Sequence, residues 1–476
     1  MMLVLLPLLA IAHSPAAAAP PVEARVASAI AQAAQGTRLG LLVVDEEGRE
    51  VVAIRPDERF VPASNTKLYT TAAAFALLET SGADEAAGAS VRLEDGDVIL
   101  SGAGDARLSS AADCTRDCLK DLAAAVAQKT RRVRHVIGDD TAFPDERWPA
   151  GMSWNNMVGK YGTAVSALTI DDNEVALSVA PGAVGGSAVV AGDGYFTIDN
   201  RVITVPAGGK RSISATRQPG SDLLRLTGTI PAGTAPYEMR VGLDDPAHRA
   251  AWLLSGLLRE QGVTVTGDVA VRHRPLMPGD DPDVRGTAPA ARAPQPQVLA
   301  KLSPPPLNED LIHTNKVSQN LHTELLLRRV GAVEGSGSVA DGQRAVRRVL
   351  DRAGLSPWQY DFADGSGMSN YNRVTPRGTV TLLRWGATQK WGPAWRETFP
   401  VAGVDGTLSN RFKGTPLAGR LFAKTGTLNA SNALAGYMTT ASGRTFTFAA
   451  YANDMPGDVS ATKAIDAALV AVAEAN

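Results

Sequence analysis

Three short motifs in one order constrain this chain more than anything else in it: Ser64-Asn65-Thr66-Lys67, Ser318-Gln319-Asn320 and Lys424-Thr425-Gly426-Thr427. If they serve one chemistry, the fold must bring a late strand back to an early helix, and must close the separation of 254 residues between Ser64 and Ser318. No motif is persuasive alone, because Ser-x-x-Lys arises by chance about once in a chain of this length. A second copy, Ser460-Ala461-Thr462-Lys463, and a second Ser-x-Asn, Ser153-Trp154-Asn155, are both present. Context separates them. Ser460 follows the Lys-Thr-Gly strand and reads as the cap of the last helix, whereas Ser153 lies in a Trp-, Pro- and Gly-rich loop.

The pattern along the chain supplies such a return. Residues 23–34 are helical in pattern. Two β-like runs, 38–44 and 50–54, then flank Asp45-Glu46-Glu47-Gly48 and predict a hairpin. A Pro62 loop delivers Ser64 to an apolar helix over 68–78. From 81 to 296 short alternating strands dominate, with one helix at 247–261 and a Pro- and Ala-rich stretch, 277–296, that reads as a linker. Helical patterns return at 308–329, 338–353 and 376–389. Two strands, about 433–440 and 445–452, and a final helix near 460–474 close the chain. Strands at both ends predict one sheet built from the two termini, with the middle as an insertion. The expected layout is a catalytic domain from 20–80 and 297–476, one inserted domain from 81–173 and 242–296, and a second, β-rich, from 174–241.

The residue types suit acyl transfer by an activated serine. Lys67, one helical turn from Ser64, is placed to take its proton, provided its pKa is lowered by burial and a second cation. Lys424 is the expected second cation. Ser318 is placed to relay a proton to a leaving amine and Asn320 to hold a substrate amide. A small Gly426 leaves room for a substrate backbone, and the Thr425 and Thr427 hydroxyls suit a terminal carboxylate. The backbone N–H groups of Ser64 and Thr427 are the expected oxyanion hole. The bland reading of each piece is a helix cap, a turn or a solvated helix face. His313 and His322 read as ordinary surface or packing histidines, since nine residues is no metal-ligand spacing on a helix.

Composition excludes other classes. With 44% hydrophobic and 20% charged residues and a net charge of -2, the chain is globular and lacks the basic surface that nucleic acid requires. A short apolar run from Leu3 and the small residues ending at Pro20 read as an export signal over residues 1–19, so the mature protein is expected outside the cytoplasm. Cys114 and Cys118 either close a small disulfide, which an oxidising compartment favours, or are free thiols on one turn of a helix expected over 112–129.

With these motifs in place, the chain resembles the class C low-molecular-mass penicillin-binding proteins, D-alanyl-D-alanine carboxypeptidases and endopeptidases. The resemblance also rests on Asp364-Gly365-Ser366-Gly367-Met368-Ser369, Asn372 to Pro376, Gly138 to Phe143 and Tyr161 to Leu168. It implies an α+β fold: a transpeptidase/β-lactamase-like domain, with an antiparallel sheet flanked by helices and a helical lobe, plus two inserted mainly-β or mixed domains. It further implies an acyl-enzyme on Ser64 formed from peptidoglycan stem peptides and cross-links, inhibition by β-lactams, no metal or organic cofactor, and a homodimer as in relatives. Relatives carry an Arg after the Gly-Ser-Gly-x-Ser run and an acid ahead of the Tyr161 equivalent; here those positions are Asn370 and Asn156. Asn156, Tyr161 and Asn370 are accordingly the expected readers of the substrate's side chain, with a neutralised diamino acid as the expected target. The competing readings are a β-lactamase or serine esterase, for which no deacylating Glu-x-x-x-Asn run is evident, and a catalytically dead wall-binding protein.

Overall fold

The computed structural model describes residues 21–292, 296–457 and 459–476. The expected export signal, 1–19, lies outside these. A five-stranded antiparallel sheet runs Leu421–Leu428, Ser431–Thr439, Thr445–Asn453, Arg38–Val44, Glu50–Ile54, so both chain termini build it. Its strands are apolar on both faces because both faces are covered. Leu39, Leu41 and Val43 point into a core shared with the terminal helices Val22–Ile30 and Thr462–Ala475, while Leu42 and Val44 point into a second core. The period of two therefore sorts one strand into two hydrophobic layers.

The second core holds the helical lobe: Thr66–Leu77, Leu307–Val317, Asn320–Ala332, Val339–Arg352 and Pro376–Ala387. The helix Thr66–Leu77 is buried from Thr66 through Phe75, and neighbours enclose every side of it. This is the expected α+β, transpeptidase-like architecture.

Residues between Ser90 and Lys301 form further sheets. A mixed five-stranded sheet, Val269–Arg274, Val136–Pro144, Asp97–Ser101, Ser90–Glu94 and Ala300–Lys301, packs against helices Leu119–Lys129 and Pro246–Glu260. Two three-stranded sheets, one built on Leu223–Pro231 and one on Glu174–Ala180, share a separate apolar core around Val175, Val202 and Leu226.

Three local expectations are corrected. The helix expected over 308–329 is two helices, broken at Ser318, whose φ of 64° is left-handed. The Gln319 side chain accepts a hydrogen bond from Leu321 N–H at 3.1 Å and so restarts the second helix. The linker expected over 277–296 is partly pinned, since Asp280 is buried against Arg274 at 2.8 Å and Arg285 pairs with Asp341 at 2.5 Å. Residues 293–295 of it lie outside the described set. The helix expected from Ala112 begins only at Leu119, after a turn closed by a Cys114–Cys118 disulfide.

That bridge gives the first testable outcome. Unfolded, unreduced protein is expected to titrate with no free thiols and with two after reduction. Two thiols before reduction would contradict it.

Candidate active site

Ser64 sits in a single 3-10 turn, Ala63–Asn65, that runs directly into the buried helix. Ala63 holds a φ of 46°, a left-handed conformation costing on the order of 1–3 kcal/mol for a residue with a Cβ. Several contacts impose it. A Cβ on Gly367 would stand 1.9 Å from the Ala63 carbonyl oxygen and 2.9 Å from the Ser64 nitrogen, so only glycine lets the 364–369 run pass beneath the turn. A Cβ on Gly426 would stand 2.6 Å from the Pro62 oxygen and 3.2 Å from the Ser64 nitrogen. The smallness of Gly426, expected to admit a substrate, therefore first admits the Ser64 turn itself. With its amide oriented to match its neighbours, Asn65 ties the turn to two strands, donating to the Lys424 carbonyl at 2.8 Å and accepting from Ala435 N–H on the adjacent strand at 3.3 Å.

The helix then places Lys67 in a dry pocket. Its Nζ is fully buried, 3.1 Å from Ser64 Oγ, 2.6 Å from Asn320 Oδ1 and 2.7 Å from the Ser366 carbonyl oxygen. Burial pulls the Lys67 pKa down to about 7, against an upward pull from the Asp364 and Glu324 carboxylates. Lys424 is equally buried, and its Nζ donates to Ser318 Oγ at 2.8 Å and to the Thr425 carbonyl at 3.0 Å. Burial and the charge of Lys67 push Lys424 well below the ordinary lysine range. The expected second-cation effect is present, but it bears on Lys424, and desolvation is what lowers Lys67.

The break at Ser318 now has a purpose in geometry. The left-handed residue ends one helix so that its hydroxyl meets Lys424, and Asn320 starts the next facing Lys67. Asn320 Nδ2 donates to the Tyr161 carbonyl at 2.9 Å, which brings the segment around Tyr161 to the site. Asn370 reaches the same segment from the other side, its N–H donating to Gly151 at 3.0 Å. Asn156 lies between these anchors, half-buried, in the turn Trp154–Asn156. Thr425 shares a 2.7 Å hydroxyl contact with Thr407, and Thr427 is exposed on the outer strand of the sheet. Ser64, Lys67, Ser318, Asn320, Lys424, Thr425, Gly426 and Thr427 thus converge. The decoys do not: Ser153 bonds Asn155 at 2.6 Å, and Ser460 bonds Asn432 at 2.8 Å.

Sequence reasoning missed one buried carboxylate, Glu324, and left a second, Asp364, without a role. Glu324 stands one helical turn after Asn320 and accepts from Gly365 N–H at 3.1 Å and Ser366 N–H at 2.8 Å, thereby fixing the carbonyl that holds Lys67. Burial and nearby Asp364 raise its pKa to about 7. Asp364 accepts from Gly367 N–H at 2.9 Å and Ser369 N–H at 2.6 Å. The signal was present: Glu324 lies four residues after Asn320, on the same face of one helix. His322 was misread as well. It is buried between Asp310, 2.5 Å away, and Asp172, 2.8 Å away, and the two carboxylates raise its pKa to about 10 against the cost of burial.

Comparison with known proteins places this arrangement. The model of the D-Ala-D-Ala carboxypeptidase 3 (S13) family matches residues 22–476. A D-alanyl-D-alanine carboxypeptidase of Actinomadura sp. (strain R39) is 34% identical over 437 residues, covering 85% of this chain and 76% of that protein. Penicillin binding protein 4 (dacB) of Haemophilus influenzae shares the fold at a TM-score of 0.77, with 22% identity over 93% of this chain and 97% of that one. The same protein, solved in complex with a β-lactam, gives a TM-score of 0.70 over the same coverage. Family match and shared fold together define a hydrolase of the D-Ala-D-Ala carboxypeptidase class. The chain belongs to the D-Ala-D-Ala carboxypeptidase 3 (S13) family, and it is a serine-type D-Ala-D-Ala carboxypeptidase.

Glu324→Gln tests the electrostatics. The lost carboxylate favoured the protonated lysine, so the acid limb of Ser64 acylation is expected to move to lower pH. A limb that stays in place would mean that Glu324 only holds the backbone.

Proposed function

We propose that Ser64 is the nucleophile and neutral Lys67 the base that takes its proton. The observation that carries this reading is the fully buried Lys67 Nζ 3.1 Å from Ser64 Oγ. Oγ attacks the carbonyl of the penultimate D-Ala of a peptidoglycan stem or cross-link, and the Ser64 and Thr427 N–H groups receive the oxyanion. The proton reaches the departing amine through Ser318, whose hydroxyl is held by Lys424. Release of the terminal residue leaves an acyl ester on Ser64, and water frees the enzyme through the reverse proton path. Asn320 orients the substrate amide, and Thr425 and Thr427 receive the terminal carboxylate beside Gly426. No step calls for a metal or organic cofactor.

β-Lactams enter the same path and leave a slowly hydrolysed acyl-enzyme. Export is supported by this substrate, which lies outside the cytoplasm. The layout proposed for the chain is a catalytic domain from 20–80 and 297–476 with insertions at 81–173 with 242–296 and at 174–241, assembled as a homodimer. The separate core around Val175, Val202 and Leu226 supports treating the last insertion as its own unit.

Intact-protein mass after brief exposure to benzylpenicillin tests the nucleophile. Wild type is expected to gain one penicilloyl group and Ser64→Ala none. Consumption of penicillin without an adduct would indicate a β-lactamase, and intact penicillin would indicate a dead site.

Asn156, Tyr161 and Asn370 are proposed to read a stem whose diamino acid has been neutralised, for example by amidation. In support, Asn370 is exposed, and among the described residues its side chain bonds only the Gly151 carbonyl, at 3.4 Å. Asn370→Arg is expected to raise turnover of a free meso-diaminopimelate stem several-fold over wild type. Equal turnover would count against neutral-substrate selection.

A further inference from the structure

The segment 151–162 is tied to the candidate site at both ends, through the Gly151 carbonyl on Asn370 N–H and the Tyr161 carbonyl on Asn320 Nδ2. Between those anchors it is held by the end of strand Tyr237–Gly242 and by Trp148. Gly242 N–H donates to the Val158 carbonyl at 2.9 Å, and Trp148 Nε1 donates to the Gly162 carbonyl at 3.0 Å. Within it Trp154 is 70% exposed. The indole is not a lone exposed side chain, since Leu223, 43% exposed, lines the same groove, and an aromatic apolar patch rimmed by polar groups is a recognition surface.

Trp154 forms one wall of a groove of about 420 Å³ against the hairpin joining Ser212–Thr216 to Leu223–Pro231. The other walls carry Asn155, Gln218, Ser221, Leu223 and Arg225. The set is specific in chemistry. A flat aromatic face and an exposed leucine lie beside amide, hydroxyl and guanidinium groups, and among the described residues no carboxylate lines the groove. A pyranose ring presents the matching surface: an apolar face of C–H groups, and hydroxyl and acetamido groups at its rim. Gly151 is three residues from Trp154, so their Cα atoms are no more than about 11 Å apart.

We propose that this groove binds the amino-sugar strand of peptidoglycan, a β-linked N-acetylated glycan, while the attached stem peptide occupies the site at Ser64. The proposal rests on the D-Ala-D-Ala carboxypeptidase reading for the stem but not for the groove itself. It predicts two classes of substrate. A soluble stem peptide uses the Ser64 site alone, and a stem still joined to its glycan uses both.

The experiment compares wild type with Trp154→Ala in three assays: calorimetric binding of N-acetylglucosamine tetramer, turnover of polymeric peptidoglycan, and turnover of free stem pentapeptide. Wild type is expected to bind the tetramer saturably, and the variant at least tenfold more weakly. Polymer turnover is expected to fall threefold or more in the variant, with pentapeptide turnover and the penicilloyl adduct unchanged within twofold. Equal tetramer binding and equal polymer turnover in the two proteins would overturn the proposal. So would an equal loss on polymer and pentapeptide, which would make Trp154 a structural support of the catalytic site. Wild type that fails to form a penicilloyl adduct would reject the peptidase reading, and the tetramer arm would still decide the groove.

Discussion

The rest of the structure depends on one unfavourable placement: a lysine amine, Lys67, carried on a helix whose whole circumference is buried. Transferring a charged ammonium there costs several kcal/mol, and the group responds by giving up its proton more readily. The surroundings offset only part of that cost. Asn320 Oδ1 and the Ser366 carbonyl accept from the amine, and the Asp364 and Glu324 carboxylates pull its pKa back up. The balance near neutrality is what a proposed base needs, since it must be free of its proton and still able to hold one.

The neighbourhood can be read as the scaffold for that amine. Two glycines, 367 and 426, let a loop and the outermost strand close over the Ser64 turn, and Asn65 fastens the turn to the strand. A left-handed residue at Ser318 divides what would be one helix, so that Ser318 faces Lys424 and Asn320 faces Lys67. Strain at Ala63 and Ser318 persists because the surrounding contacts over-determine it. Glu324 and Asp364 hold the 365–369 backbone in place from beneath.

Much of this was legible in the chain because the informative residues are local. Ser64 and Lys67 sit one turn apart, and the hairpin 38–54 and the closing strands read as β-like apolar runs at the two ends of the chain, which is what predicts one sheet. The break at Ser318 was not legible, since 308–329 keeps a helical period throughout and the cap is a serine rather than a glycine. His322 was misread because its partners, Asp172 and Asp310, are 150 and 12 residues away and no local pattern pairs them. Glu324 was within reach, four residues beyond Asn320, but a single acid on a helix ordinarily means a solvated face. The role given to Gly426 shifted because the turn it packs against is distant in sequence.

The most direct test of this account is the titration of Lys67 itself, followed through its ¹³Cε resonance and assigned by its loss in Lys67→Arg. A midpoint near 7 in the free enzyme is the predicted result, with the amine neutral above it. A midpoint near the ordinary lysine value of about 10.4 would contradict the account, because Lys67 would then be a fixed cation and the base would have to be another group.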